Sequence, residues 1–217
     1  PYQTQRCAEP VQLAFDQRRN DQNMKTLFGI GQIPSDTQMR EILDPLEPDL
    51  LRPAFNDVFR QLQRGKALEP FVFHNGCYLL ALDGTGYFSS NKIRCDCCLE
   101  KKNKQTGEIT YQHQMLGAAI VHPDYKEVIP LAPEPIQKQD GSSKNDCERN
   151  AAKRLLRKIR QEHPRLELLV VEDGLASNAP HIRDLVELRM HFLLGVKPGD
   201  HGFLFERVAE AFQQDRV

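Results

Sequence analysis

The stretch "CYLLALDGTGYFSS" at residues 77–90 decides the fold, because an apolar run meets one aspartate and then gives way to small residues. The apolar run predicts a buried strand that ends at Asp83. An aspartate in this place has two interpretations. Asp-Gly is a common turn dipeptide, and a carboxylate at a strand end can also bind a metal ion. The elements that surround this strand decide between the two interpretations.

The composition limits the classes of protein to which this chain can belong. With 217 residues, 40% hydrophobic and 27% charged, it can bury one sizeable core and a small extra domain. No apolar run approaches the roughly 18 residues of a membrane helix, and the first residues lack a signal-peptide pattern. We therefore expect a cytoplasmic protein with no membrane partner. Because the net charge is −1, any contact with a polyanion must come from local basic patches.

Residues 1–70 have the pattern of a helical region. A first helix is predicted from Ser35, which has Gln38 at capping-box spacing, and a second helix is predicted to end at Gly65. The inward face of the second helix is predicted to consist of Leu51, Phe55, Val58, Phe59 and Leu62. Two such helices fit a DNA-binding helix-turn-helix, and they fit equally well two helices that pack on a core.

The periodicity changes after residue 70. Three segments with strand pattern come first, joined by turn-rich connections typical of antiparallel pairing, at residues 77–83, 111–122 and 126–133. Helices and strands then alternate, at residues 145–164, 166–173, 179–190, 191–198 and 202–212. This is the element order of a ribonuclease H-like α/β (α+β) fold, a mixed sheet with flanking helices, which we assign to residues 71–217.

Two aspartates fall in matching places within this order. Asp83 ends the first strand and Asp173 ends the fourth, and in a ribonuclease H-like sheet these strands are neighbours. Paired carboxylates can hold two Mg²⁺ ions roughly 4 Å apart for phosphoryl transfer, whereas either Asp-Gly pair alone would be a turn in most proteins. The stretch also resembles the haloacid-dehalogenase phosphatase motif. Ala81 stands where that motif has its nucleophilic aspartate, which excludes a phosphatase of this type.

Five stretches together resemble the catalytic part of DDE-type bacterial insertion-sequence transposases. They are "LLALDGTGYFSS", "YQHQMLGAAIVHPDYKEVIPLAPEPI", "NDCERNAAKRLL", "VVEDGLASNAPHI" and "LLGVKPGDHGFLFE". The resemblance covers roughly residues 25–212 and implies a ribonuclease H-like enzyme with three acidic residues and two divalent ions, Mg²⁺ or Mn²⁺. By motif position, Asp83 and Asp173 are the first two acids. The resemblance also implies double-stranded DNA as partner, a dimer on DNA, and a location at the bacterial nucleoid.

The third acid is where this sequence departs from the resemblance. In those transposases it is a glutamate on a helix well beyond the fifth strand, in a setting rich in Trp, Arg and Asn. This sequence has no tryptophan and its last residue is Val217, so we expect the third ligand beyond residue 217. Glu206 and Glu210 have positions typical of a solvated helix face. Two functions stay open: a metal-dependent DNA transposase, and a catalytically inactive remnant that binds DNA or self-associates.

The helix predicted at residues 145–164 carries a local excess of basic residues. They suit contacts to DNA phosphates and suit equally well a solvated helix face. The residues predicted for phosphate contacts are Arg149, Lys153, Arg154 and Arg157. At the start of this helix, Asn145 is the predicted N-cap. Glu148 has capping-box spacing, so it either caps its own helix or lies towards the acidic site.

A cysteine cluster, "CDCC" at residues 95–98, is followed by a histidine in the next predicted strand. Cys95, Cys98 and His113 are therefore candidate zinc ligands, with Cys97 or another histidine as the fourth. The sequence has one CxxC pair and no second pair at zinc-finger spacing. The alternative is a hairpin that carries reduced cysteines.

Overall fold

The structure is a computed structural model that describes residues 45–92, 94–95, 97–136 and 147–214, and single residues between 25 and 42. From residue 45 onward, the described chain contains six strands: β1 (Tyr78–Ser90), β2 (Leu99–Lys102), β3 (Ile109–Val121), β4 (Ile129–Ile136), β5 (Leu168–Glu172) and β6 (His191–Leu194). The same part of the chain contains four α-helices: α1 (Arg52–Arg64), α2 (Glu148–Glu162), α3 (Ala179–Glu187) and α4 (Gly202–Gln213).

The six strands form one mixed sheet. Its order is β2-β3-β1-β5-β6, and β4 also pairs with β3. β5 pairs parallel with β1 on one side and with β6 on the other, while β2 is antiparallel to β3. A mixed sheet of this order with flanking helices confirms the predicted fold class and is consistent with a ribonuclease H-like α+β fold.

The described residues divide into two compact units. The first, here called the hairpin unit, comprises those within Pro1–Arg52, Gly86–Gln114 and Ile136–Asp146. The second, here called the core unit, comprises those within Pro53–Thr85, Met115–Pro135 and Cys147–Val217. The domain boundary expected at residue 70 stays a prediction.

The core unit is built around apolar side chains of parallel strands and of α2. Leu80 of β1 and Leu168 and Val170 of β5 are fully buried. Helical periodicity predicts the buried face of α2, and the structure confirms all five of its members: Ala151, Ala152, Leu155, Leu156 and Ile159. α2 therefore contributes a buried apolar face of five residues to the core unit.

The predicted features before β1 are partly confirmed. Ser35 Oγ accepts a hydrogen bond from the backbone N–H of Gln38 at 3.3 Å, and Ser35 N–H donates to Gln38 Oε1 at 3.1 Å, which is the predicted capping box. Much of the helix that it was predicted to start lies outside the described residues. Phe59 of α1 is buried, but Val58 of α1 and Leu51, which immediately precedes this helix, are each 58% exposed, so the predicted inward face was wrong at these two positions. α1 packs through a narrow stripe centred on Phe59.

Three strand predictions need correction. β1 does not end at Asp83 but continues to Ser90, because β3 is as long as β1 and pairs with it. β2 was not predicted, since its sequence Leu-Glu-Lys-Lys has no apolar alternation. β4 begins at Ile129, three residues later than predicted. It tolerates three prolines because it pairs with β3 and lies off the main path of the sheet.

α4 has no buried residue among its twelve. Glu206 and Glu210 are exposed, and Glu210 forms an ion pair with Arg207 at 3.5 Å. This confirms the predicted solvated face. Neither α4 nor any other helix that the structure describes is long and apolar enough to cross a membrane.

Candidate functional site

A cleft of about 50 Å³ in the core unit brings the two predicted aspartates together. The parallel ladder of β1 and β5 has Ala81 opposite Val171 as its last pair. Two residues beyond this pair on each segment stand Asp83 and Asp173, and both residues line the cleft. The expected juxtaposition is therefore present, although Asp83 lies within a strand and only Asp173 follows one.

Glu148 is a third carboxylate in this cleft. It is the first residue of α2, and the N-cap is Cys147, whose side chain makes no capping bond. Asn145 was therefore wrong as N-cap, and it lies outside the described residues. The Glu148 carboxylate instead lies against Gly84, where an added Cβ would be 2.6 Å from Glu148 Cδ. The capping-box spacing of Glu148 favoured a role in its own helix over a place in the acidic site, so the sequence signal pointed away from the cleft.

A buried carboxylate–imidazole pair stands next to Asp173. His181 Nε2 and Glu172 Oε2 are 2.5 Å apart, and their side chains are only 4% and 8% exposed. The backbone N–H of His181 donates to Asn178 Oδ1 at 3.1 Å, which caps α3. A histidine at a helix start is usually exposed, so its burial here was not foreseen. The pair joins the end of β5 to the start of α3 immediately before and after the Asp173 loop.

The loop after β5 fixes the Asp173 carboxylate. Asp173 Oδ1 accepts a hydrogen bond from the backbone N–H of Leu175 at 2.9 Å, the arrangement by which aspartate stabilises a turn. The backbone N–H of Gly195 donates to the Glu172 carbonyl at 3.0 Å. A Cβ on Gly195 would be 3.2 Å from the backbone nitrogen of Gly174. Asp173 is therefore both a turn former and a carboxylate of the cleft.

The chemistry of these carboxylates suits a hard cation. Asp83, Glu148 and Asp173 are exposed, so water can complete the coordination of an ion such as Mg²⁺, which keeps several of its waters. In the described chain, a set of three ligand atoms all within 4.8 Å of one another is found at the cysteine cluster, not among these oxygens.

The four basic residues predicted as phosphate contacts fall into two groups. Arg149 lines the carboxylate cleft. The other three take part in ion pairs: Arg154 with Glu134 at 2.7 Å, and Lys153 and Arg157 with Asp184 at 3.6 and 3.8 Å. Arg149 is thus the one of the four that the structure places beside the cleft.

A larger cavity, about 810 Å³, lies elsewhere in the core unit, near the amino end of β5. Its polar lining includes Arg160, whose guanidinium donates to the carbonyls of Leu188, Leu166, His163 and Arg189. These bonds engage Arg160 in holding the chain together. The smaller cleft with its carboxylates is the better candidate for chemistry.

Cys95, Cys98 and His113 form a group that can hold a metal ion. Their ligand atoms make a triangle with Cys95 Sγ to Cys98 Sγ at 3.6 Å and each sulfur to His113 Nε2 at 3.3 Å. Tetrahedral zinc, with Zn–S about 2.3 Å and Zn–N about 2.0 Å, needs an S–S separation of about 3.8 Å and an S–N separation of about 3.5 Å. The observed triangle is therefore a few tenths of an ångström too small. Cys97 is exposed and is not part of this set.

The surroundings of this group hold its histidine and one cysteine out of water. His113 and Cys98 are 3% and 1% exposed. Burial lowers the pKa of His113, which favours the neutral imidazole that binds metals, and burial raises the pKa of the Cys98 thiol. The rings of Tyr87 and Phe88 lie 5.9 and 5.5 Å from the His113 ring. The imidazole is thus held in place before any ion binds.

No family model and no curated protein matches this chain. A function for this chain therefore has to be inferred from the carboxylate cleft, the cysteine group and the sequence motifs.

Proposed function

We propose that this chain is the catalytic region of a DNA transposase that cuts and joins DNA strands by two-metal phosphoryl transfer. The observation that carries the proposal is that Asp83, Glu148 and Asp173 line one cleft beside adjacent parallel strands. The motif resemblance to DDE-type bacterial transposases supports double-stranded DNA as the substrate. It also supports a dimer on DNA and a location at the nucleoid in the bacterial cytoplasm.

Four charged residues of the cleft have a role in this proposal. Asp83 and Asp173 are the metal ligands expected from the motifs, and Glu148 is a third that the cleft adds. Bound Mg²⁺ or Mn²⁺ supplies an activated attacking oxygen and stabilises the leaving oxygen of the phosphate. The bond from Leu175 N–H to Asp173 Oδ1 orients that carboxylate. Arg149 supplies positive charge for a phosphate at the edge of the cleft.

We assign different metals to the two candidate centres. The carboxylate oxygens are hard ligands, which suit Mg²⁺ or Mn²⁺. Two cysteine sulfurs and one imidazole nitrogen are the ligand set of zinc, so Zn²⁺ is the proposed ion at Cys95, Cys98 and His113. The cysteine group needs a movement of only a few tenths of an ångström to fit it.

Titration of Mn²⁺, followed by electron paramagnetic resonance, tests the carboxylate site. We expect Asp83→Asn and Asp173→Asn to weaken Mn²⁺ binding about tenfold or more, since each removes a charged ligand without changing the shape of the side chain. The matched control is Glu206→Gln, an exposed acid of α4 in the same unit. Binding that is unchanged in both aspartate variants would overturn the proposal.

Strand cleavage of a labelled DNA duplex separates the two functions that the sequence left open. A transposase domain nicks the duplex in Mg²⁺ or Mn²⁺, and Asp83→Asn abolishes the nicking. A chain that binds Mn²⁺ and DNA but never nicks the duplex would instead be a non-catalytic DNA-binding fragment.

A further inference from the structure

The cysteine group lies at the base of a β-hairpin. Cys98 immediately precedes β2 and His113 lies within β3, while the ladder between them pairs Leu99 with Gln112 and Lys102 with Ile109. At the other end, the backbone N–H of Gly107 donates to the Asn103 carbonyl at 2.9 Å. The hairpin is therefore held by the cysteine group at one end and by a hydrogen-bonded turn at the other.

Positive charge is concentrated on this hairpin. Residues 92–104 contain five Lys or Arg and two Asp or Glu, although the whole chain has a net charge of −1. Lys101, Lys102 and Lys104 are all exposed. In the part of the chain that the structure describes, none of these three lysines forms an ion pair. By contrast, most basic residues predicted as phosphate contacts on α2 are neutralised by Glu134 and Asp184.

Few apolar side chains of the hairpin are buried, so hydrophobic packing contributes little to its stability. Between residues 92 and 113, the buried residues that the structure describes are Cys98, Leu99 and His113. β2 is a four-residue strand at the edge of the sheet that pairs with β3, and bound metals substitute for a hydrophobic core where little apolar surface is buried. An ion at the cysteine group therefore makes a rigid support for the lysines. Rigid groups lose less conformational entropy when they bind a partner.

We propose that the hairpin over residues 92–113 is a zinc-dependent surface that binds the phosphate backbone of DNA. The choice of DNA rests on the proposed function, whereas the surface itself is made of other residues than those of the carboxylate cleft. Lys101, Lys102 and Lys104 contact phosphates without reading base sequence. Zinc at Cys95, Cys98 and His113 touches no phosphate in this arrangement and acts by holding the two strands of the hairpin.

The test measures zinc content and DNA binding in the same preparations of the whole chain. Zinc is measured by elemental analysis, and binding is measured by fluorescence anisotropy of a labelled 30-base-pair duplex over a range of NaCl concentrations. The variant Lys101→Gln/Lys102→Gln/Lys104→Gln should keep its zinc and lower the slope of log affinity against log salt by about 0.9 for each lost phosphate contact. The control is Lys126→Gln, an exposed lysine of the core unit.

Removal of the metal should reproduce the effect of removing the lysines. Cys98→Ser and His113→Asn should lose zinc and weaken DNA binding about tenfold at about 0.1 M salt, while all lysines remain. Cys147→Ser, at an exposed cysteine outside the group, is the control for thiol loss. Circular dichroism establishes that each variant is folded.

The outcomes separate this inference from the proposed function. If the unaltered chain does not bind DNA, both the DNA partner and the hairpin surface are overturned. If it binds DNA but the triple lysine variant keeps the same salt slope, only the hairpin surface is overturned. Undiminished DNA binding by zinc-free Cys98→Ser would overturn the zinc dependence in the same way.

Discussion

The carboxylate of Glu148 lies against the backbone of Gly84, the residue that follows Asp83 in β1. A Cβ on Gly84 would be 2.6 Å from Glu148 Cδ, which no relaxed structure permits. Glycine at this position therefore gives the first residue of α2 access to the cleft. The position of the third carboxylate therefore depends on a residue that has no side chain.

The substitution Gly84→Ala should displace the Glu148 side chain from the cleft. Because the clash is with the flexible end of a glutamate, we expect the free energy of unfolding to change by less than about 1 kcal/mol. Mn²⁺ affinity should fall about as far as in Glu148→Gln, since both variants remove the same ligand. Titration of Mn²⁺ with electron paramagnetic resonance measures this effect.

Gly86→Ala is the matched control for that experiment. It makes the same chemical change two residues further along β1, where the nearest atoms to an added Cβ are 4.0 Å away. We expect its Mn²⁺ affinity to equal that of the unaltered chain. Equal affinities for the Gly84 and Gly86 variants would show that Glu148 is not a ligand.

A second glycine, Gly195, lets its strand end pack closely against the backbone of Asp173 and Gly174. An alanine Cβ at Gly195 would be 3.2 Å from the backbone nitrogen of Gly174 and 3.4 Å from the carbonyl carbon of Asp173. These are backbone atoms, which cannot rotate away as the end of Glu148 can. Gly195→Ala should therefore destabilise the fold by about 1–2 kcal/mol and also weaken Mn²⁺ binding.

Urea unfolding and Mn²⁺ titration measure the two effects of Gly195→Ala. Gly199→Ala is the control, because nothing lies within 4 Å of its added Cβ. If the Gly195 variant is as stable as the Gly199 variant, Gly195 does not pack closely against the backbone of Gly174 and Asp173.

The sequence predicted the paired aspartates because the pattern that marks them is local. An apolar run before each aspartate marks a strand, and the element order makes the two strands neighbours. The ladder of β1 and β5 confirms that neighbourhood. The Cys95, Cys98 and His113 group was predicted for a similar reason, since a CxxC pair and a histidine in the next strand can meet across one hairpin.

What the sequence left open depends on contacts between distant segments. Glu148 has the spacing of a capping residue. Only the folded structure shows that its carboxylate lies against Gly84 and lines the cleft. The continuation of β1 past Asp83 depends on the length of β3, which no property of "DGTG" indicates. The pairing of Arg154 with Glu134 was equally hidden, because the two residues belong to a helix and a proline-rich strand.

Glu134 should contribute to stability as the shared partner of two cations. Its side chain is 4% exposed and accepts bonds from Arg154 Nε at 2.7 Å and Lys158 Nζ at 2.8 Å. Glu134→Gln leaves two positive charges without their carboxylate, so the free energy of unfolding should fall by about 2–3 kcal/mol. Lys158→Gln should cost less, because Arg154 still pairs with Glu134.

Urea unfolding of both variants measures this difference. The exposed pair of Lys66 and Glu69 supplies the control, because Glu69→Gln should change the free energy of unfolding by less than about 1 kcal/mol. Equal losses for Glu134→Gln and Glu69→Gln would mean that burial adds nothing to the Glu134 network.

The start of β1 should make the fold sensitive to high pH. Burial raises the pKa of the Cys77 thiol above its ordinary value of 9.0, and the negative charge of Glu167 adds to the effect. Burial, with a smaller effect of Glu69, also raises the pKa of Tyr78. Because both pKa values are higher in the folded chain than in the unfolded chain, the unfolded chain releases these protons first as the pH rises.

The contribution of Cys77 is therefore complete below about pH 9 and is lost as the pH rises through the folded-state pKa. Urea unfolding at pH values between about 7 and 10.5 should show a falling free energy of unfolding in the upper part of this range. In Cys77→Ala the fall should be shallower, since one of the two groups is gone, while Cys147→Ala should follow the unaltered chain. The same pH dependence in Cys77→Ala and the unaltered chain would place the titrating group elsewhere.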